Sequence, residues 1–339
     1  MVSVTIVTWN SGQYLAECFA SLEQQDYREL EVIIVDNASS DETRALLGQV
    51  ASRWRVIYND HNVGFAAGQN QAIRMSSGEW VLCLNPDVVL SSDFIRGLVA
   101  AGEEHPSAGS VCGKLLRWDP AAEQHRTDII DSSGIYFTRN MRHLDRGAEE
   151  RDRGQYDRAQ YVFGASGAAA MFRRDFIEDV SVEGEFFDEE FFAFREDGDL
   201  SWRAQIMGWK CLYTPAAIAW HVRRVTPERR RDLPLAINWH SVKNRFLMRG
   251  KNASGWLCWR LFFPVAWRDF MTLGYALLRD WRLLSAVAYP FRAMESIRHK
   301  RVIIQSRRKV SDRDLLWWFC NNPRAVECEQ RAAQSEKRP

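Results

Sequence analysis

The chain has 339 residues, 46% hydrophobic and 26% charged, with a formal net charge of +1. That composition suits a folded globular protein of one large domain or two moderate ones, and the near-neutral balance gives no signal for nucleic acid as a partner. Seven dispersed cysteines with no C-x-x-C pair argue for reduced, buried thiols and a cytoplasmic setting rather than a disulfide framework or zinc site. The N-terminus runs straight into a strand-like stretch, without the basic flank or small-residue cleavage site of a signal peptide.

The first half alternates between two periodicities. Val2 to Thr8 is an apolar, β-branched run that predicts a strand, and Ser11 to Glu23 carries helical spacing at Tyr14, Leu15, Cys18, Phe19 and Leu22. Leu30 to Val35 predicts a second strand, ending in Asp36-Asn37. Ser39 and Glu42 then stand at capping-box spacing and predict a helix start. Arg55 to Tyr58 predicts a third strand, Ala66 to Met75 a helix, and Trp80 to Leu84 a fourth strand. Continuous apolar strands separated by amphipathic helices imply an α/β fold whose mostly parallel sheet is covered on both faces. Ligands of such sheets bind beyond the carboxyl ends of the strands, so Asn10, Asp36 and Asp87 are expected to converge on one crevice.

Two turns past those strands can carry chemistry. Asn62-Val63-Gly64-Phe65-Ala66-Ala67-Gly68-Gln69-Asn70 is a loop running into a helix, where unpaired N–H groups can meet an anion; a plain turn is the competing reading. Leu84-Asn85-Pro86-Asp87-Val88 sets a carboxylate at the end of an apolar strand. It fits a hard divalent cation on a diphosphate, or a β-turn with Pro at its second position. His221 closes the apolar stretch from Ala216. A structural hydrogen bond is the commoner use of a lone His, and His221 is a metal ligand only if it lies beside Asp87.

Residues 117 to 160 are polar and lack sustained periodicity, which predicts an excursion or mobile loop over the site. A second ordered region runs from Tyr161 to His221. Within it, Phe191 to Arg203 sets aromatics against Glu196, Asp197 and Asp199. Carboxylates this close repel one another, and beside apolar groups they are poorly hydrated; both effects raise a carboxyl pKa and suit a general base. An acidic first turn of a solvated helix accounts for the same residues.

The last third is aromatic. Of the 14 tryptophans, several lie between Trp256 and Trp281. Gly255 to Phe291 is apolar but interrupted by charges from Arg260 to Arg282, so it lacks the roughly 20 mainly apolar residues of a transmembrane helix. At about 100° per residue, Arg260, Arg268, Arg279 and Arg282 share one arc. Trp256, Trp259, Phe263, Trp267, Phe270 and Trp281 share another, and Pro264 kinks or divides the helix. Such a helix suits the plane of an anionic membrane, aided by the basic run Arg298 to Lys309, or packing on the catalytic domain or in a homodimer. Glu327 to Pro339 has the composition of a disordered tail.

In order and spacing, Thr8-Trp9-Asn10, Ile34 to Asp41, Asn62 to Asn70, Asn85-Pro86-Asp87, Glu196 to Leu200 with Arg203, Gly208-Trp209 and Pro215 to His221 resemble the family 2 inverting glycosyltransferases of the GT-A type. The resemblance is greatest to the bacterial rhamnosyltransferase-like group, from Asn-Pro-Asp in place of Asp-x-Asp and from Phe187 to Phe192 ahead of Glu-Asp. It implies a GT-A catalytic domain over residues 1–245, with a nucleotide-binding half at 1–116 and an acceptor and catalytic half at 161–222. A helical extension at 246–326 and the tail at 327–339 follow.

The resemblance also implies roles. Asp197 would be the general base, supported by Glu196. Asp36, with Thr8 and Asn10, would bind the base and ribose of a dTDP- or UDP-linked sugar, and Asn37, Asn62, Gly64, Gly68, Asn70, Asn85 and Arg203 would complete the donor site. Asp87 would hold Mg²⁺ or Mn²⁺ on the diphosphate, with His221 completing the shell, although Asn-Pro-Asp offers one carboxylate fewer than Asp-x-Asp. The implied reaction is a single displacement that moves a sugar, L-rhamnose from its dTDP carrier as the best guess, to a lipid-linked or polysaccharide acceptor in cell-surface glycan synthesis. It would run in the cytoplasm, with peripheral contact to the inner face of the membrane. One base on the acceptor side suffices, because a metal-bound diphosphate leaves without a protonating acid. Arg223 and Arg224 would add positive charge there, or form a solvated turn. Two other classes compete: a sugar nucleotidyltransferase, whose Gly-rich basic loop is missing from Thr8 to Tyr14, and a non-catalytic glycan-binding protein, against which intact Asp87 and Asp197 count.

Overall fold

The computed structural model describes residues 1–119, 125–223 and 235–321; Arg224 and the 327–339 tail lie outside the described residues. The N-terminal half follows the expected alternation: β1 (Val2–Thr8), α1 (Gly12–Glu23), β2 (Leu30–Asp36), α2 (Thr43–Val50), β3 (Arg55–Tyr58), α3 (Phe65–Arg74) and β4 (Trp80–Leu84). These four strands are parallel, with Thr8 level with Asp36 and Asp36 level with Tyr58. Alternate residues of β4 feed opposite cores. Trp80, Leu82 and Leu84 join Leu15 and Phe19 of α1, whereas Val81 and Cys83 join Ala66 and Ile73 of α3. That period of two on both faces is why the strand reads as continuously apolar. The capping box does not form: Glu42 rather than Ser39 precedes α2, and the Ser39 hydroxyl turns back to Asp36.

Beyond β4 come β5 (Val88–Leu90), α4 (Phe94–Glu104), β6 (Ala108–Trp118), β7 (Arg126–Ser132), β8 (Ile135–Phe137), β9 (His143–Asp145), β10 (Gln160–Val162), β11 (Ala169–Arg173), α5 (Arg174–Val180), α6 (Glu196–Ile206) and β12 (Lys210–His221). The sheet order is β10-β12-β6-β11-β4-β1-β2-β3, with β5 on β12 and β7 on β6. The mostly parallel arrangement therefore belongs to β1–β4; antiparallel β11 turns the rest into a mixed sheet. The expectation of a loop over 117–160 is corrected here. Its described residues include β7, which pairs with β6, and the β8–β9 hairpin, with Ile130, Phe137 and Tyr156 buried in the core.

Among the described residues six α-helices follow: α7 (Leu235–Asn252), α8 (Gly255–Arg260), α9 (Phe262–Leu278), α10 (Leu284–Arg292), α11 (Met294–Ser306) and α12 (Asp312–Cys320). The break expected at Pro264 falls at Leu261, and Pro264 sits in the first turn of α9, where a missing N–H is tolerated. The expected boundary after residue 245 falls inside α7. Leu247, Leu257, Ile297 and Phe319 share one apolar cluster with Phe137 and Trp202, and the Phe319 ring lies tilted at centroid distances of 5.2 Å from Phe137 and 4.8 Å from Trp202. Buried ion pairs add a second tie, with Lys251 reaching Asp188 and Asp199 and Lys300 meeting Asp188 at 2.7 Å. Of the six described cysteines four are buried as expected, but Cys258 is exposed.

Candidate active site at the carboxyl edge of the sheet

The carboxyl ends of β1, β2 and β4 bring the first group of expected residues together. Asp36 accepts from the Thr8 hydroxyl (3.1 Å), the Ser39 N–H (3.2 Å) and hydroxyl, and Arg44 Nε (2.8 Å). Thr8 and Asp36 are fully buried, so they brace the edge from beneath and present no surface to a base or ribose. Asn10 lies higher. Its Oδ1 accepts from the Ser40 N–H at 2.8 Å, and Trp9 beside it, which sequence reasoning passed over, is 55% exposed.

The Asn62–Asn70 loop has a definite job in the fold. Asn62 Oδ1 accepts from Gly64 N–H (2.8 Å), and Asn37 Nδ2 donates to the Gly64 carbonyl (3.0 Å). Gly64 holds φ +91°, and a Cβ there would lie 2.6 Å from Phe192, so glycine is required where this turn meets the loop ahead of α6. A Cβ at Gly68 would lie 2.9 Å from Val7, so this glycine sets how closely α3 approaches β1. Asn70 corrects the expectation of donor contact: its amide is taken up by both backbone groups of Phe187, at 2.7 and 2.9 Å. Arg203 corrects it too. It is buried under α6 and donates to the carbonyls of Val180 (3.0 Å) and Phe186 (2.7 Å), which pins the chain ahead of the acidic turn.

That turn opens α6. Phe192, Phe194 and Arg195 all hold positive φ, a conformation that costs free energy for side-chain-bearing residues and persists only when held from outside. Asn244 of α7 holds it: Nδ2 lies within 2.9 Å of the carbonyls of Phe191, Ala193 and Phe194. The three acids then separate. Asp199 turns inward to Lys251 (3.0 Å) and Asn252 (2.7 Å). Asp197 accepts N–H donors from Gly167 (3.2 Å) and Gly198 (2.7 Å), and its side chain is 19% exposed. Glu196 is buried, and its Oε2 has no hydrogen-bond partner. Burial, followed by the Asp197 charge, pushes the Glu196 carboxyl up to about 8; burial also raises Asp197 against its backbone donors and Arg195. Near neutral pH the pair therefore carries its charge on Asp197, where the N–H groups are, and its proton on Glu196.

His143 of β9, which sequence reasoning missed, faces this pair with Nε2 at 3.8 Å from Asp197. Burial, then Arg195, pushes it down to about 3, so it is neutral. Because Nδ1 lies 3.3 Å from Arg195 Nη1, a donor only, the ring proton is assigned to Nε2 on the Asp197 side.

A second acidic group lies at the end of β12. His221 pairs in register with Val88 of β5, which brings Asp87 alongside. His221 Nε2 is 3.5 Å from Asp87, and Nδ1 is 2.8 Å from Asp131, at the end of β7. Arg223 bridges Asp131 (2.9 Å) and Asp145 of β9. Burial would lower the His221 pKa, but Asp87 and Asp131 carry it up to about 10, and the same neighbourhood holds Asp131 below the ordinary carboxylate range despite its burial. A carboxylate on Nδ1 fixes the ring so that Nε2 faces outward, the arrangement that orients metal-binding histidines. Among the described residues no group of three His, Cys, Asp or Glu side chains is arranged to hold a metal ion by itself. One carboxylate and one imidazole instead suit a cation that takes the rest of its shell from water and substrate phosphates.

The two acidic groups are joined. His143 and Asp145 are two residues apart on β9, so one strand touches Asp197 at one end and Arg223 at the other. On the sheet side, Gly167 binds Asp197 while the neighbouring Ala168 carbonyl receives the N–H of Asn85 (2.8 Å), two residues before Asp87.

Comparison with known proteins bears on the family and the fold. A sequence profile described as glycosyl transferase family 2 matches residues 3–181. Over 313 residues the chain is 27% identical to the N-acetylglucosaminyl-diphospho-decaprenol L-rhamnosyltransferase of Mycobacterium tuberculosis, spanning 83% of this chain and 96% of that one. The fold is similar to that of GalNAc-T7 with UDP, GalNAc and Mn²⁺ (TM-score 0.58, 14% identity, 74% of this chain and 48% of that one). It is also similar to S. aureus TarS 1-349 in complex with UDP-GlcNAc (TM-score 0.54, 17% identity, 90% and 89%).

Proposed function

The chain belongs to glycosyl transferase family 2, with the GT-A fold, and from that premise we propose that it is an inverting rhamnosyltransferase acting on a lipid-linked acceptor. The donor would be dTDP-rhamnose and the acceptor an N-acetylglucosaminyl diphospholipid; the name of the mycobacterial relative supports the rhamnosyl group and the acceptor, and the dTDP carrier rests on the family resemblance. The observation that carries the chemistry is the division of labour at the start of α6: Glu196 is buried with Oε2 unpartnered, while Asp197 is held by two backbone N–H groups and reaches solvent.

Asp197 takes the proton of an acceptor hydroxyl as its oxygen attacks the anomeric carbon, and the bond to the diphosphate oxygen breaks on the opposite face. Configuration inverts in one step. His143 sets a neutral imidazole 3.8 Å from the base and adds no competing charge. The leaving diphosphate develops its charge at the His221 and Arg223 end, where the Arg223 guanidinium supplies fixed positive charge. Asp87, with His221 Nε2 released from its proton, would hold Mg²⁺ or Mn²⁺ there. When bound, that ion supplies further positive charge to the diphosphate. Asn10, Trp9 and the Asn62–Gly64 turn are the parts of the edge left to meet the nucleoside, with Thr8 and Asp36 supporting them from below.

The test is transfer by the full chain from dTDP-rhamnose, and separately from UDP-GlcNAc, to an N-acetylglucosaminyl diphospholipid with Mg²⁺ or Mn²⁺. Rhamnose transfer with inverted configuration, abolished by EDTA, is expected. Transfer from UDP-GlcNAc alone would overturn the donor, and retained configuration would overturn the single displacement.

A further inference from the structure

The helices after the sheet carry a surface that the site does not use. α9 meets α7 along one stripe. Asp269 bridges Arg245 (2.9 Å) and Arg249 (2.7 Å), Thr272 accepts from Arg245 (2.9 Å), and Ala276 is fully buried. At about 100° per residue, the side opposite that stripe holds Phe263, Trp267, Phe270, Gly274 and Leu278. Phe263 is 83% exposed and Leu278 85%; Trp259 before the helix and Trp281 after it are 71% and 74% exposed. A single exposed aromatic needs no explanation, but a continuous face of this kind marks an interaction surface.

The charges around it say what that surface meets. Residues 255–292 contain five arginines and two acids. Asp269 is turned inward to α7, and Asp280 is paired with Arg282 at 2.8 Å. Arg260 and Arg279 are exposed at the two ends of the apolar face, and Arg260 lies 5.9 Å from the rings of both Trp256 and Trp259.

We propose that this face is a docking surface for an anionic lipid bilayer, with α8 and α9 lying in the interfacial plane. Phe263, Trp267, Phe270 and Leu278 enter the acyl boundary, and Arg260 and Arg279 meet the phosphates. The helices do not span: no helix among the described residues is long and apolar enough to cross a membrane, and Asp269 is tied to α7 in the middle of α9. A second copy of the chain fits less well. A two-fold interface sets the patch against itself, arginine against arginine, and both acids of the stretch are already paired. Docking also orients the site, because the α7 that receives α9 also holds the loop ahead of Asp197 through Asn244. The proposal is independent of the sugar assigned above.

The experiment is co-sedimentation of the full chain with vesicles of phosphatidylcholine alone and of phosphatidylcholine mixed with phosphatidylglycerol, at low and high salt. Wild type is expected to sediment with the mixed vesicles, less so at high salt. Phe263→Ser with Trp267→Ser should lower that binding tenfold or more. Arg260→Gln with Arg279→Gln should lower it by about fivefold per arginine at low salt only. Transfer to a short water-soluble acceptor should be unchanged in both variants, which separates loss of docking from failure of the catalytic reading. Equal sedimentation of wild type and the aromatic variant overturns the proposal. So does a concentration-dependent dimer that Trp267→Ser abolishes in a chain that ignores vesicles.

Discussion

At the start of α6 and at the end of β12 the chain sets the same kinds of acid in opposite fields. Glu196 and Asp197 have burial, each other and a neutral imidazole for company, and the single nearby guanidinium of Arg195 does not reverse their upward shift. Asp131 is as deeply buried, yet it lies between His221 and Arg223 and stays ionised well into acid. The difference shows that role follows from neighbours rather than residue type: a base must exchange its proton near the working pH, and a clamp must keep its charge.

The comparison is broken most severely at Asp197. Asp197→Asn keeps shape and loses basicity, so transfer should fall by about 10²- to 10⁴-fold while calorimetry finds nucleotide affinity unchanged. Turnover close to wild type would move the base elsewhere. Asp131→Asn sharpens the other side. It keeps the shape but offers one acceptor oxygen to two donors, so it removes the charge and one of the two hydrogen bonds that fix His221 and Arg223, and such supporting carboxylates are worth about 10- to 100-fold in metal affinity. Metal-dependent donor binding should drop by that factor, with the metal-free component untouched. An unchanged titration would mean that His221 serves the sheet and not a cation.

How much of this could be read in advance follows from the same contrast. β1 to β4 were legible because buried parallel strands are continuously apolar, and the acids beyond their ends followed from topology. Asp131 and His143 were not legible. Asp131 sits on β7, seven residues whose polar positions alternate irregularly, and His143 on β9, whose three residues are too few for any period to show. The signal for Asp131 was its place after the apolar pair Ile129-Ile130, inside a stretch otherwise dominated by charge. Arg203 and Asn70 fail for another reason. The helix of Asn70 was foreseen and that of Arg203 stood only as an alternative reading, but which carbonyls a helix side chain meets depends on partners distant in sequence: Val180 and Phe186 for Arg203, Phe187 for Asn70.

The gentlest test concerns where the proton rests in the α6 pair. An unfolded Glu196 titrates near 4.5 and the folded one at about 8. Between those values the folded state binds more protons than the unfolded chain, so its stability falls as pH rises across that window. Glu196→Gln puts a neutral amide where the protonated acid stood and removes this dependence. Thermal melts of the two proteins should therefore coincide near pH 5 and separate progressively toward about pH 8, with the variant melting higher by a few degrees. Groups remote from the pair contribute equally to both proteins and cancel in the difference, which leaves Glu196 and the Asp197 coupled to it. Parallel curves would show that Glu196 is already ionised in the fold. The shared proton would then lie on Asp197, the two would exchange roles, and Glu196→Gln, not Asp197→Asn, would be the variant that loses transfer.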